Sequence, residues 1–383
     1  MSWLRCSLSL LVIPAILATG CTTDNSAADQ RAVMETYAEI AFASYEDSYN
    51  EAVVLDEAID AFVANPTASG LEAAKDAWLA AREPYGQTEA YRFADGPIDA
   101  ADGPEGLLNA WPLDEAYVDY VVGAPGAGIV NNADQFPTID ADLLVDLNER
   151  GAEENVSIGY HAIEFLLWGQ DLSGTGAGNR PFTDYTTDAN AERRKQYLAT
   201  TSDLLLDHLK QMVDAWAPDE SNYRSTFMSL DPEQALRNML TGIGTLSKSE
   251  LAVERIFVAV DNQDQEDEHS CFSDNTHRDI ITNAIGIANV YRGSYQRLDG
   301  TSVSGRSLED LVRDADSAVG DRISSFVNAA LSTSDAIPVP FDRAIIENQD
   351  AVLTSVDALQ DLGDSFVEGA QALGIAINTE LPD

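Results

Sequence analysis

Apolar and small residues recur every three or four positions over long stretches of this chain, and strand-like alternation is scarce. From Met34 the stripe passes through Tyr37, Ala41, Tyr45, Ser48, Ala52, Leu55, Ile59 and Phe62, which is one face of an α-helix. Asn65-Pro66 ends it. A second helix begins near Ser69 and carries Leu71, Ala74 and Trp78 inward, with Pro84 expected to kink it. A third surrounds His161. Helices resume from Ala191 to Trp216. Asp231-Pro232-Glu233-Gln234 is a helix start, with Asp as cap, Pro at the first position and Gln at the third, for a helix running to Val260. Further helices are predicted over 275–295, 308–331 and 342–373. Positions 93–150 are rich in Gly, Pro and Asp and read as long loops with short helices. Positions 170–190 read as a connector. Its Gly174-x-Gly176-x-Gly178 run follows a helix instead of a strand and lacks the dinucleotide spacing, so it is no nucleotide loop.

The pattern predicts an all-α fold of two helical-bundle domains, four-helix-bundle-like, spanning 31–190 and 191–383. Each half has a helix with inward acids, an acidic loop, and then a buried helix bearing a histidine (His161, His277). An old duplication of one bundle would leave that pattern.

The N-terminus changes the picture. Arg5 and the apolar stretch from Leu8 to Leu17, too short to span a bilayer, form a signal peptide over 1–20. Leu17-Ala18-Thr19-Gly20-Cys21 has the form of a bacterial lipobox, although Ala18 stands where Leu is favoured. Cys21 is the expected lipidation site, followed by a polar tether over 21–30. The chain is therefore expected to be exported and lipid-anchored on the periplasmic or cell-surface side of a bacterial membrane. The mature body keeps a single thiol, Cys271, so no intramolecular disulfide is available and packing must supply the stability.

The 383 residues include 65 Asp and Glu against 22 Lys and Arg, a net charge of −43, with 45% hydrophobic residues. The apolar fraction is that of a folded protein. The charge excludes a nucleic-acid partner, whose binding surface is basic. Only four lysines occur, Lys75, Lys195, Lys210 and Lys248, and the acids are spread along the whole chain.

Three stretches carry candidate chemistry. In Gly159-Tyr160-His161-Ala162-Ile163-Glu164, His161 and Glu164 lie three apart on a helix that is otherwise apolar all round, so both are buried neighbours. A buried carboxylate needs a partner. A metal ion satisfies the pair, and so does a plain His–Glu hydrogen bond. In the second stretch, Arg82 to Arg92, the apolar stripe continues into Arg82, Tyr85, Glu89 and Arg92, which implies a polar cavity or an ion-pair network. The acids that follow, Glu105 among them, read mainly as solvated loop. The third, Asp261 to His277, holds two of the four histidines, His269 and His277, in an acidic segment, with His277 expected to face a core. Neither acidic loop fits an EF-hand.

At these residues the sequence resembles the imelysin family, specifically its iron-regulated lipoprotein branch. The resemblance rests on Gly159-x-His161-x-x-Glu164, the Arg82–Arg92 stretch, Gly103-Pro104-Glu105, Asn109-Ala110-Trp111-Pro112 and the Glu266–His277 segment, and it covers nearly all of the mature chain. It implies two helical bundles with the His161–Glu164 motif near their interface, and a role in iron acquisition. On that reading His161 and Glu164 are metal ligands and Glu89 is the third. Arg82 orients a carboxylate, and Glu105, His269 and His277 are weaker candidates. One imidazole among carboxylates suits iron, with manganese or zinc as alternatives. The implied partners are a metal ion or metal chelate, the membrane through Cys21, and a protein of an iron-uptake system. Two further readings are a metallopeptidase using the same site, although no His-Glu-x-x-His occurs, and a metal-free scaffold docking a membrane or haem-protein partner.

Overall fold

The structure, a computed structural model, describes residues 27–218 and 221–381; the signal peptide and Cys21 lie outside them. The fold is all-α, with one short hairpin, Ser294–Gln296 against Ser302–Ser304. No helix among the described residues is long and apolar enough to cross a membrane. Cys271, the one cysteine among them, is unpaired.

The first helix, Ala27–Ala64, buries the whole predicted stripe from Tyr37 to Phe62. Thr67 caps the second, Ala68–Thr88, which continues through Pro84. The helix Ala191–Trp216 lies along the first, and the short, wholly buried helix Gly159–Trp168 packs between it and the second. The 191–216 helix, which follows the boundary expected at 190/191, thus packs on helices that precede it. Leu198, Leu205, Leu209 and Trp216 face inward, so the 191–216 helix shares its core with the N-terminal group.

The second group begins at Pro232 under the Asp231 cap. It runs as an α-helix to Thr245, widens into a π-helix over Leu246–Phe257, and ends as Val258–Asn262. With Thr276–Arg292, Ser317–Asp335 and Gln349–Ala372 it forms the other set of packed helices. The two long C-terminal helices expected from the sequence are each broken once. Asp316 caps Ser317–Asp335 after a separate Leu308–Ala315 helix. Asn348 divides Phe341–Glu347 from Gln349–Ala372.

The groups meet where helix 276–292 crosses helix 68–88. Glycines set that crossing: a Cβ on Gly286 would lie 2.3 Å from the Gln87 carbonyl oxygen, and one on Gly86 would lie 2.0 Å from the Thr282 hydroxyl. Close backbone approach here places Arg82 of one group against Asp279 of the other.

Candidate metal centre at the seam of the two helix groups

Gly159 opens the His161 helix at φ +84, and its missing Cβ leaves room for the Leu108 carbonyl, which would otherwise be 2.6 Å away. The helix therefore sits directly on the 105–108 turn, and Asn109, next in the chain, falls beside the site. Trp78 Nε1 donates to the Tyr160 carbonyl at 3.0 Å and fixes the helix from the other side.

His161 and Glu164 are both buried, and His161 Nδ1 lies 2.9 Å from Glu164 Oε2. The other carboxyl oxygen, Oε1, accepts from the Ser273 backbone N–H at 2.9 Å and the Ser273 hydroxyl at 2.6 Å. The buried His161 Nε2 has no hydrogen-bond partner. Burial pushes Glu164 up to about 8 and His161 down to about 3, so the pair avoids separated charge. Below about pH 8 Glu164 holds the bridging proton and His161 carries its own on Nε2. Loss of one proton makes Nδ1 the donor to a carboxylate and leaves a lone pair on Nε2.

Against His161 stands His269, ring centroids 4.7 Å apart and nearly perpendicular. Its Nδ1 lies 2.8 Å from Asp279 Oδ2, which also accepts from the Ser270 hydroxyl. Arg82 donates to Asp279 Oδ1 through Nε at 3.2 Å and its terminal nitrogen at 2.9 Å. Burial opposes ionisation of Asp279, but Arg82 and His269 outweigh it and hold the acid well below the usual carboxylate range. An ionised Asp279 only accepts, so the His269 proton is on Nδ1. Burial, aided by Arg255, holds His269 down to about 3, so the ring is neutral with its lone pair on Nε2. The Asn109 amide faces that atom at 3.4 Å. A carboxylate behind Nδ1 with Nε2 presented forward is the arrangement that orients metal-binding imidazoles.

Glu89 is not brought to His161 and Glu164. One oxygen pairs with Arg255 at 2.6 Å and with Arg92 at 3.5 Å, and the other faces the Asn109 amide at 3.5 Å. Burial alone would raise its pKa, yet the two arginines bring it down to about 2. Glu89 thus balances a guanidinium cluster, with Asn109 between it and His269. Glu105 pairs with Arg92 at 3.1 Å, and burial pushes it up to about 7. His277 is only half-buried and lies 3.1 Å from the Asp274 carbonyl oxygen. Its helix turns Asp279 inward instead, which corrects the expected core-facing His277.

Sequence reasoning missed Asp279, Ser273, Asn109 and Arg255. Asn109 stood in a recognised motif without a role. Arg255 pairs with Glu250, five residues earlier, at 2.9 Å. That spacing stacks in a π-helix and not in the α-helix the pattern predicted.

A cavity of about 330 Å³ opens to His269, bordered by Asn109, Trp111, Arg92 and Arg255 and by several glutamates. Trp111 donates to the Glu268 carbonyl at 2.8 Å, fixing its ring 5.6 Å from His269. Among the described residues no three His, Cys, Asp or Glu side chains are gathered around one point as a complete metal cage. His269 Nε2, already a donor, and His161 Nε2, which becomes one when the His161–Glu164 pair loses a proton, nevertheless fit a borderline-to-hard cation completed by water or another oxygen donor.

The family model for imelysin matches residues 41–366. Iron-regulated protein A of Synechococcus elongatus is 26% identical over 363 residues, covering 92% of this chain and 88% of that protein. A crystal structure of a protein assigned as an iron-regulated protein A precursor, from Parabacteroides distasonis, superposes with a TM-score of 0.73 at 21% identity. It covers 91% of this chain and 96% of the other, a likeness of fold.

Proposed function

The chain belongs to the imelysin family, and from that premise we propose that it is an exported iron-handling protein. It binds a metal cation at the His161–His269 pair and acts in iron uptake, tethered through Cys21. The observation that carries this reading is the paired histidine–carboxylate geometry. Two buried imidazoles from different helix groups each have Nδ1 against a carboxyl group, Glu164 or Asp279, and direct Nε2 elsewhere. The name iron-regulated protein A, borne by the cyanobacterial relative, supports a connection with iron. The word precursor in the description of the Parabacteroides protein agrees with export.

In this reading His161 and His269 hold the ion, Glu164 and Asp279 set their tautomers, and Arg82 anchors Asp279. Glu89 and Arg255 brace the wall. Iron is the expected cargo, with manganese and zinc as competitors for the same donors.

The test is metal content and anaerobic Fe(II) titration of the full-length protein, beside His161→Gln, His269→Gln and Glu164→Gln, with folding checked by circular dichroism. Stoichiometric binding lost in folded His161→Gln and His269→Gln is expected. Unchanged affinity in both would refute the site. No binding by the wild type at micromolar metal would leave the histidines as structural hydrogen bonds.

A further inference from the structure

The cavity in front of His269 is unevenly charged. Five glutamates line it, Glu105, Glu149, Glu153, Glu250 and Glu254, against two arginines, Arg92 and Arg255. Guanidinium groups in a pocket usually suggest an anion, such as a carboxylate-rich iron chelate. Here both are already consumed. Arg255 is buried and gives its nitrogens to Glu89, Glu250 and the Asn283 carbonyl oxygen at 2.6, 2.9 and 2.9 Å. Arg92 is surrounded by Glu105, Asp99, Glu89 and Glu250 at 3.1, 3.4, 3.5 and 3.6 Å. An incoming anion would have to displace a carboxylate from each.

The outer glutamates, Glu149, Glu153 and Glu254, are solvent-exposed, and among the described residues no basic side chain is hydrogen-bonded or ion-paired to them. At the inner end His269 is 2% exposed, with only the 3.4 Å Asn109 contact at Nε2. The path therefore runs from negative charge at the rim to a buried imidazole nitrogen at the inner end.

We infer that this cavity is a cation vestibule: it selects the cargo as a positively charged aquo ion, and it disfavours anionic chelates of the same metal. The inference rests on the metal-binding reading above and names the form in which the metal is taken. Three unit charges within a Debye length of the path should raise the association rate of a divalent ion about tenfold at low salt, and by much less at physiological ionic strength.

The experiment uses full-length protein. Association and equilibrium binding of Mn(II) and anaerobic Fe(II) are compared with ferric citrate, at low and physiological salt. The rim variant Glu149→Gln/Glu153→Gln/Glu254→Gln is measured beside His269→Gln and a control neutralising Glu35, Glu39 and Glu57, which lie on the outer face of the first helix. Aquo-ion association should slow about tenfold in the rim variant and stay within twofold in the control. Ferric citrate should bind at least tenfold more weakly than the aquo ions. Salt alone should slow the wild type, an arm that needs no folded variant. Ferric citrate binding as tightly as the aquo ions, or a rim variant and a salt series that leave the rate unchanged, overturns the inference. If His269→Gln still abolishes aquo-ion binding in that case, the metal-binding reading survives. Failure of the wild type to bind either form overturns both.

Discussion

Asp279 is where the electrostatics and the chemistry of the site meet, and Asp279→Asn tests both with almost no change in volume. The Arg82 and Asp279 side chains are 2% and 1% exposed. Asparagine can still accept from Arg82, but the guanidinium is then a buried cation without a counter-charge. Breaking a buried pair in this way costs about 3–5 kcal/mol. For a cooperative unit of this length that corresponds to a melting temperature lower by roughly 4–7 °C. The substitution also places an amide donor opposite His269 Nδ1. The ring must then accept there and carry its proton on Nε2, which removes the lone pair facing the cavity. Urea unfolding followed by tryptophan fluorescence reads the stability, and ¹⁵N chemical shifts of the His269 ring read the tautomer. Adding Arg82→Met should recover part of the loss, because the uncompensated cation has gone. A stability loss below about 1 kcal/mol, with His269 still protonated on Nδ1, would refute the reasoning.

Other consequences follow from the same groups. Glu89 is depressed to about 2 from 4.5, so its stabilisation is complete above pH 4.5 and is lost as pH falls through 2. About 3 kcal/mol should disappear over that window, and Glu89→Gln should flatten this part of an acid-unfolding series. The His161–Glu164 pair, with Glu164 raised to about 8, should release close to one proton per metal ion bound at pH 6.5; binding heats independent of the buffer's ionisation enthalpy would contradict this. Asp119 accepts from both Arg180 and Arg194, at 2.8 and 2.6 Å, in a buried cluster away from the cavity. Asp119→Ala should therefore cost about 3–5 kcal/mol in urea unfolding while leaving metal affinity in the folded fraction unchanged. Gly159→Ala combines a left-handed backbone with a 2.6 Å contact to the Leu108 carbonyl. It should destabilise by about 2 kcal/mol or more, visible as a lower thermal midpoint by circular dichroism.

Much of this was legible in the chain because burial writes a period into sequence. The Tyr37–Phe62 stripe, the Asp231 cap and the apolar surroundings of His161 and Glu164 each depend on neighbours within a few residues, and each appears as read. The breaks at Asp316 and Asn348 were missed because the apolar period continues across them. The companions of His161 were missed for another reason. Ser273 lies 109 residues from Glu164 and Asp279 lies 197 residues from Arg82, and no local period relates them to Glu164. Glu89 falls on the inward face as expected, and there it pairs with Arg255, a partner the stripe does not announce. A face predicts burial, and whether a buried carboxylate meets a metal or a guanidinium is decided by Arg255, on a helix whose π-turn leaves little trace in the hydrophobic pattern.

The two imidazoles belong to different parts of the fold, and this gives the centre a mechanical meaning. His161 stands on a helix of the N-terminal group, whereas His269 leads into the helix that carries Asp279 in the second group. The seam between them holds buried ion pairs, Arg82 with Asp279 and Glu89 with Arg255, which are costly to separate but add little net cohesion once desolvation is counted. A cation taken by both Nε2 atoms would add a bond across that seam. Its stabilisation would follow RT ln(1 + [L]/Kd), about 2.7 kcal/mol at a hundredfold excess over Kd, and should appear as slower hydrogen exchange in the 159–168 and 276–292 helices together. Protection gained on only one side would mean that the ion is held by one histidine and that the other serves only to orient its carboxylate.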